Sequence, residues 1–223
     1  MAKVLIISAH PDDETLGCGG TILKHIAAGD VVSWIVATQA HEPLWSREVI
    51  ETKAREVEAV AAAYGMSETI KLGLPTVRLE TVPQIEIMEK LRPVIARLQP
   101  EIVYLVHGGD IHTDHGALFD AVMGIFKPFH LSKFCTRRVL SYETISSTDQ
   151  APPFASRAFV PNAYGDISTQ LERKLEIMAL FASETQPDPL PRGPEAIRAL
   201  ARVRGATISV KYAEAFMVLR DIF

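Results

Sequence analysis

Short apolar runs rich in β-branched residues alternate with longer helical stretches over the first two-thirds of the chain. The clearest runs cover residues 3–8, 31–38, 69–75 and 101–107. Continuous apolar runs of this length are typical of strands buried on both faces of a parallel sheet. Strands that alternate with helices predict helices on both faces of that sheet. The sequence therefore predicts an α/β protein, with a three-layer α/β/α, Rossmann-like fold and a mostly parallel sheet.

The helical stretches carry their own start and stop signals. The stretch 46–65 opens at Ser46, a candidate N-cap, and closes at Gly65, a candidate C-cap. The stretch 82–100 is expected to be interrupted at Pro93, because proline lacks the N–H that a helix interior uses. Further helices are expected over 14–29, 114–126, 167–184 and 194–205, further strands over 137–144 and 212–220, and a loop-rich stretch over 146–166.

Composition narrows the class of protein. The 223 residues are 48% hydrophobic, which is enough for one substantial core and predicts a single domain over 1–223. The formal net charge is −4 without runs of like charge, so no nucleic-acid partner is expected.

The two cysteines, Cys18 and Cys135, are too few for a disulfide framework and are expected to be buried thiols in a reducing compartment. Apolar runs too short for a signal-peptide core or a membrane span predict a cytoplasmic protein without a membrane partner.

Residues 8–20 read SAHPDDETLGCGG and follow directly on the first predicted strand. In open α/β sheets, ligands bind beyond the carboxyl ends of the strands, so this turn faces the expected ligand crevice. A dinucleotide-binding fold places a G-x-G-x-x-G turn at this point. Here Gly17, Gly19 and Gly20 come later and at a different spacing, and the turn carries imidazole and carboxylates instead. The sequence therefore argues against a nicotinamide or flavin enzyme.

The polar residues of this turn are those of a metal site. Imidazole nitrogen and carboxylate oxygen are ordinary zinc ligands, at about 2.0 to 2.2 Å. A turn fixed by Pro11 can direct His10 and one of Asp12 and Asp13 at one point, while the other carboxylate faces the metal's water as a base. A cation also relieves the repulsion between adjacent carboxylates. The alternative is acidic capping of the next helix, which explains one carboxylate better than it explains four polar residues including Glu14.

A second polar cluster, HGGDIHTDHGALFDAV, follows the fourth predicted strand. A catalytic zinc site needs a third protein ligand and an open position, and this loop opens at the same edge of the sheet. His112 and His115 are three residues apart, so one can bind metal while the other faces the open side. Asp114 can orient a ligand imidazole or cap the helix, and both remain open. His107 is left undecided, with a structural role favoured, and the other histidines, His25, His41 and His130, are interpreted as structural or solvated.

The residues AHPDDE, with the later H-x-D-H, resemble the zinc-dependent deacetylases of the PIG-L or LmbE-like family, which hydrolyse N-acetylglucosaminyl groups and related amides. The first motif matches at every position, and the resemblance extends over most of the chain. The segment AREVEAVAAAYG is similar to the Arg-containing helix of that family. The resemblance implies one LmbE-like domain over 1–223, a small amino-sugar substrate and a homo-oligomer.

The family's functional residues carry over position by position. The resemblance implies that His10, Asp13 and His115 are the metal ligands. It implies that Asp12 is the general base and that His112, in protonated form, assists at the tetrahedral intermediate. In the absence of a decisive residue, the proton for the leaving amine can come from Asp12 or from His112.

Other positions are partial matches to the family or departures from it. Arg55 is similar to a substrate-contacting arginine of the family. Thr76 stands where many members have Asp, which leaves a sugar-hydroxyl contact without its expected partner, and Thr113 stands where Pro is common. Trp45 is expected to hold its loop in place, or to pack against a sugar face. The carboxyl-terminal arginines are interpreted as a solvated helix face; they are Arg192, Arg198, Arg202 and Arg204.

Together these features predict a zinc hydrolase that removes acetyl from an N-acetylated amino sugar, free or conjugated, by metal-activated water. Two His and one Asp also accept Fe²⁺, Co²⁺ or Mn²⁺. The alternatives are an amidase acting on a thiol-sugar conjugate or other small amide, and a non-catalytic metal- or sugar-binding module, which the presence of Asp12 disfavours. A phosphoesterase usually holds two metals about 3.5 to 4 Å apart and needs more ligands than the motifs supply.

Overall fold

The computed structural model of the protein describes residues 1–128 and 133–223, so the interpretation of His130 as structural lies outside the described residues. Within them the chain forms a seven-stranded sheet in the order β3-β2-β1-β4-β5-β7-β6. The strands are β1 (Lys3–Ser8), β2 (Val31–Gln39), β3 (Glu68–Pro75), β4 (Ile102–Val106), β5 (Arg138–Tyr142), β6 (Ala163–Asp166) and β7 (Ala213–Asp221).

Helices connect these strands. They are α1 (Asp13–Ala27), α2 (Arg47–Tyr64), α3 (Gln84–Leu98), α4 (Thr113–Ile125), α5 (Leu171–Met178) and α6 (Pro194–Thr207), with short 3₁₀ turns at Leu79–Thr81 and Ala155–Arg157. Among the residues that the structure describes, no helix combines the length and the apolar character needed to cross a membrane.

The sheet is mostly parallel, as predicted. Strands β3, β2, β1, β4 and β5 run parallel, while β7 pairs antiparallel with both β5 and β6. Strand β1 has a partner on each side and is covered on both faces, which is why its apolar run is buried throughout. Because β1 and β4 are neighbours and parallel, the loops that follow them emerge side by side. The chain order reverses between these two strands, and such a switch point is where open α/β sheets bind ligands.

Local signals predicted α2 correctly. The Ser46 side chain accepts the backbone N–H of Val49 at 3.4 Å, and Gly65 ends the helix in the left-handed conformation with φ 80°. Gly17 in α1 is required for packing and not for a helix cap, because a Cβ there would lie 2.1 Å from the Tyr142 ring. Gly17 therefore serves close packing of α1 on β5, in keeping with the absence of a dinucleotide fingerprint.

Four expectations were wrong. Helix α3 continues through Pro93, because Ile87, Leu91 and Ile95 bury its apolar face on both sides of the proline and offset the missing hydrogen bond. The stretch expected to be loop contains β6, a four-residue edge strand. Cys18 is buried as expected, but Cys135 is exposed, because its neighbours Phe134 and Thr136 take the buried positions. Helix α5 is also shorter than the predicted segment.

Candidate functional site

Three potential metal ligands converge where the loops after β1 and β4 meet. His10 Nδ1 lies 3.6 Å from Asp13 Oδ2 and 3.3 Å from His115 Nε2. His115 Nε2 lies 3.4 Å from Asp13 Oδ1. Ligand atoms placed tetrahedrally around a zinc ion at about 2.1 Å would be separated by about 3.4 Å. The spacing of these three side chains is therefore that of one metal-ligand set.

The local backbone explains how the first loop reaches this geometry. Asp12 has φ 99° and precedes α1, so the chain reverses sharply between β1 and the helix. Asp13 is the first helical residue, and its Oδ2 accepts the backbone N–H of His10 at 2.7 Å. This bond closes the turn and directs both side chains toward the same point. A non-glycine residue at positive φ is uncommon and persists where the surroundings stabilise it.

The second loop is organised by a helix cap. His112 precedes α4, and its Nδ1 accepts the backbone N–H of Asp114 at 3.3 Å. Asp114 itself does not cap this helix, which decides between the two readings left open by the sequence. Its carboxylate instead accepts from His10 Nε2 at 2.9 Å and from the backbone N–H groups of Val77 and Leu79. Asp114 therefore orients the imidazole of His10.

A second carboxylate lies behind the other imidazole. His115 Nδ1 is 2.7 Å from Asp110 Oδ2, and both side chains are buried. A carboxylate oxygen accepts hydrogen bonds, so the ring nitrogens that face Asp110 and Asp114 carry the protons. In the neutral form that binds a metal, the remaining nitrogens, His10 Nδ1 and His115 Nε2, carry lone pairs on the side of Asp13. A buried set of two lone pairs and a carboxylate is complementary to a cation, so the donor set fits a metal ion.

The electrostatics of His115 agree with this donor set. Burial lowers the pKa of His115, but the carboxylates of Asp13 and Asp110 outweigh burial and raise it to about 10. The same negative field that holds a proton on the ring attracts a metal cation. The pKa of Asp13 is lowered well below its usual range, because the His115 and His10 partners outweigh the effect of burial.

Asp12 lies beside the three ligands and is itself buried. Its Oδ2 accepts a hydrogen bond from Arg192 Nη1 at 3.1 Å. Burial and the charge of Asp13 raise the pKa of Asp12 to about 6, although Arg192 opposes the shift. A carboxyl group with a raised pKa next to a possible metal site is a candidate general base.

His112 lies on the open side of the cluster. Its ring centroid is 4.3 Å from that of His10, and its side chain keeps 30% of its exposure. Because Nδ1 accepts the Asp114 N–H, the neutral ring carries its proton on Nε2 and can donate from there. Burial, together with the His10 and His115 rings, lowers the pKa of His112 to about 4. A lowered pKa favours the neutral ring, which donates from Nε2, over the protonated ring that the family resemblance implies.

The cluster opens into a cavity of about 660 Å³. His10, Asp12, Asp13 and His112 all line it, and Trp45 forms part of its wall. Thr76, the residue that departs from the family's common Asp, also lines this cavity. His115 is the one candidate ligand that does not line the cavity, and it is buried behind His10 and Asp13.

Helix α2 forms one wall, but Arg55 is not part of it. The helix presents Ile50, Lys53, Ala54 and Val57, which are spaced along one face. Arg55 is exposed on another side of the helix, where its Nη2 donates to Thr52 Oγ1 at 3.0 Å. The predicted substrate contact is therefore not brought to the cavity, and Lys53 lies there instead.

Sequence reasoning missed two residues of this site. Asp110 had a local signal, since it lies five residues before His115 and metal-bound imidazoles usually have a carboxylate behind them. Arg192 had no such signal, because it is 180 residues from Asp12 in the chain.

The other carboxyl-terminal arginines, which were expected to be solvated, have partners. Arg198 and Arg204 form ion pairs with Glu172 and Glu143, and Arg202 donates to a backbone carbonyl.

Solved structures share this architecture. The chain is 26% identical to the conserved protein TT1542 from Thermus thermophilus, with a TM-score of 0.78 over 100% of this chain and 97% of that chain. It also has the fold of N,N'-diacetylchitobiose deacetylase from Pyrococcus horikoshii, at 24% identity and a TM-score of 0.77. That superposition covers 98% of this chain and 84% of the other.

Sequence relatives extend the comparison. A probable N-acetyl-alpha-D-glucosaminyl L-malate deacetylase 2 from Bacillus cereus is 28% identical over 194 residues, covering 82% of this chain and 84% of the relative. The family model PIG-L, described as GlcNAc-PI de-N-acetylase, matches residues 5–126, more than half of the chain, and this match contains both loops of the cluster. The chain therefore belongs to the PIG-L family.

Proposed function

We propose that this protein is a zinc-dependent hydrolase that removes the acetyl group from an N-acetylated amino sugar, free or conjugated. The observation that carries the proposal is the convergence of His10, Asp13 and His115 within 3.3–3.6 Å of one another, with Asp12 beside them at a cavity. Membership of the PIG-L family and the deacetylase names of the relatives support the same reaction.

His10, Asp13 and His115 would hold the metal ion. When bound, zinc at such a site acts as a Lewis acid and brings the pKa of water toward about 7. Asp114 and Asp110 keep the two imidazoles in the tautomers that ligation requires. Fe²⁺, Co²⁺ and Mn²⁺ suit the same donors, so metal analysis of the purified protein is needed to identify the native metal.

Asp12 takes the proton from the attacking water. One carboxylate oxygen is occupied by Arg192, and among the described residues the other has no hydrogen-bond partner. The oxygen of water then forms a bond to the amide carbonyl carbon, and the C–N bond breaks. The leaving amine needs a proton, and Asp12 can return the one that it accepted.

His112 stabilises the charge that develops on the carbonyl oxygen. Its Nδ1 accepts the backbone N–H of Asp114, which leaves Nε2–H as the donor, and the side chain lines the cavity. A single preorganised donor to such an oxyanion contributes roughly 10²- to 10³-fold in rate. In this mechanism His112 donates as a neutral imidazole.

The cavity suits a sugar whose acetamido group enters at the cluster. Trp45 and the apolar residues Ile50 and Val57 of α2 offer surface to a ring face, and Lys53 and Thr76 offer polar groups to hydroxyls. An N-acetylglucosaminyl substrate agrees with the names of the family and of the Bacillus cereus relative. An amidase acting on a thiol-sugar conjugate would use the same machinery and is the second candidate.

The proposal also covers the cellular location of the protein and its oligomeric state. Both cysteines are free thiols, which agrees with a reducing compartment, and we place the enzyme in the cytoplasm. The homo-oligomer implied by the family resemblance remains a prediction.

The test combines metal analysis with an acetate-release screen. The purified protein is loaded with Zn²⁺, Fe²⁺, Co²⁺ or Mn²⁺ and offered N-acetylglucosamine, its glycosides and thiol-sugar amides. We expect acetate from an amino-sugar substrate, with Asp12→Asn retaining metal but losing most turnover. Full activity of Asp12→Asn would remove it as the base, and failure of every metal-loaded form to release acetate would remove the proposed function.

A further inference from the structure

Arg192 reaches the candidate base from a distant part of the chain. Its guanidinium Nη1 lies 3.1 Å from Asp12 Oδ2 and 2.6 Å from Glu184 Oε2. The Arg192 side chain is 26% exposed, and those of Asp12 and Glu184 are 6% and 16% exposed. An ion pair as shielded as this is less screened than a surface pair, and its geometry is better defined.

The backbone that carries Arg192 is itself held in place. Two hydrogen bonds join Gln186 to the backbone of Arg192. The Gln186 side-chain carbonyl accepts the Arg192 N–H at 3.3 Å, and the backbone N–H of Gln186 donates to the Arg192 carbonyl at 3.4 Å. Gly193 follows and donates to the Leu190 carbonyl at 2.9 Å. The loop between α5 and α6 therefore closes on itself and presents Arg192 to the cavity.

The counter-ion of Arg192 is connected to the wall of the cavity. Glu184 also pairs with Lys53 of α2. Next to it, Ser183 donates through both its N–H and its hydroxyl to the Glu56 carboxylate of α2, at 2.9 and 2.6 Å. Lys53, Glu184, Arg192 and Asp12 thus form a line of alternating charge from the cavity wall to the candidate base.

We propose that Arg192 is a positioning residue for Asp12. It occupies one oxygen of the carboxylate, and so leaves the other oxygen turned toward the reacting water. Glu184 holds the guanidinium in place through the second contact of Nη1. The assignment rests on the proposed function, because it takes Asp12 as the base.

The charges on this side of the cavity balance one another, which argues against an anion-binding role for Arg192. Lys53 and Arg192 carry two positive charges, and Glu184 and Asp12 carry two negative charges. The line of charges is therefore neutral as a whole, so it does not call for an anionic substrate group. Its effect is on the orientation of Asp12, and displacement of a reacting group by about 1 Å can cost about 10²-fold in rate.

The test is a double-mutant cycle between Arg192→Met and Asp12→Asn, with Arg192→Lys as the conservative variant. We expect Arg192→Met to lower kcat by about 10²-fold while KM and the bound metal stay near wild type. Arg192→Lys should recover part of the loss, since it restores the charge without the planar fork. In the Asp12→Asn background, Arg192→Met should cause no further loss of kcat.

The matched control is Arg198→Met, which removes a more exposed Arg–Glu pair between α6 and α5 and leaves the cavity unchanged. It should leave kcat and KM at their wild-type values. If Arg192→Met raises KM at constant kcat, leaves kcat unchanged, or still lowers kcat in Asp12→Asn, the positioning role is wrong.

A second readout needs no substrate. The thermal midpoint is measured for the same four proteins of the cycle, and the shift caused by Arg192→Met should be smaller in Asp12→Asn than in wild type. Equal shifts would show that the two side chains are not coupled and would overturn the assignment. Absence of acetate release by wild type would instead count against the proposed function, while the midpoint cycle would still report on the contact.

Discussion

His115 Nδ1 and Asp110 Oδ2 are 2.7 Å apart, and both side chains are buried at the back of the candidate metal-ligand cluster. Asp110 therefore sets which nitrogen of the imidazole carries the proton and which one faces His10 and Asp13. The contact joins the loop after β4 to the first turn of α4, five residues apart in the chain, and it places a negative charge behind a ring that would bind a cation.

Replacing Asp110 should weaken metal binding without removing a ligand. We expect Asp110→Ala to lower affinity for Zn²⁺ by about 10- to 100-fold, because the His115 ring loses both its orientation and the charge behind it. Titration against a chromophoric chelator measures the affinity. Asp120→Ala, an exposed acid on α4, is the control and should bind as wild type. Equal affinity of the Asp110 variant would show that the ring is oriented without it.

Removal of the metal should destabilise the protein only when the ligand set is intact. A ligand that binds the folded state at 100 times its Kd stabilises by about 2.7 kcal/mol. We therefore expect a chelator to lower the thermal midpoint of wild type and added Zn²⁺ to restore it. His115→Ala should retain little metal and show no response to either reagent. A zinc-dependent rise in the midpoint of this variant would remove His115 from the ligand set.

Val77 is held in an unfavourable backbone conformation next to the site. It has φ 54°, although β-branched residues rarely adopt positive φ, and its N–H donates to Asp114 at 2.8 Å. Such strain costs about 1–3 kcal/mol. We expect Val77→Asn to raise the free energy of unfolding by about 1 kcal/mol, because Asn tolerates this region and the backbone bond is kept.

Urea denaturation measures the effect at Val77. The matched control is Val203→Asn, an exposed valine within α6, where Asn and Val have similar helix propensity and no gain is expected. A loss of stability in Val77→Asn, with Val203→Asn unchanged, would mean that the valine side chain contributes more than the strain costs.

The two cysteines should differ in reactivity. Burial raises the pKa of Cys18 well above its usual range, and the nearby Glu214 and Glu14 carboxylates add to the effect. Cys135 is exposed. Because the thiolate is the reactive form, a disulfide reagent should modify Cys135 in the folded protein and Cys18 only after denaturation. Cys135→Ser should therefore be unreactive until unfolded, and rapid labelling of this variant in its native state would contradict the burial of Cys18.

Local sequence signals predicted much of this protein. The apolar run of β1 and the caps of α2 depend on neighbours within a few residues, and the structure has them where they were expected. The motif around His10 could be interpreted as metal chemistry because His and paired Asp have few other reasons to follow a buried strand. Pro93 was misjudged, since burial along α3 outweighs a local preference.

Arg55 shows that a correctly predicted helix does not by itself say which way a side chain points. Each residue turns about 100° around a helix, so the face that Ile50 and Val57 present to the cavity excludes Arg55. The sequence predicted α2, but which face it buries depends on the sheet and loops against which it packs.

By itself the sequence determined the fold class and offered the candidate metal-binding side chains, because these follow from short-range periodicity and from the functional groups themselves. Only the tertiary structure decided that β1 and β4 are neighbours, which brings His10 and His115 to 3.3 Å across 105 residues. It alone placed Arg192 on Asp12. Strand order and loop closure are set by packing between distant segments, and pairings of that kind leave no periodic or local trace in a single chain.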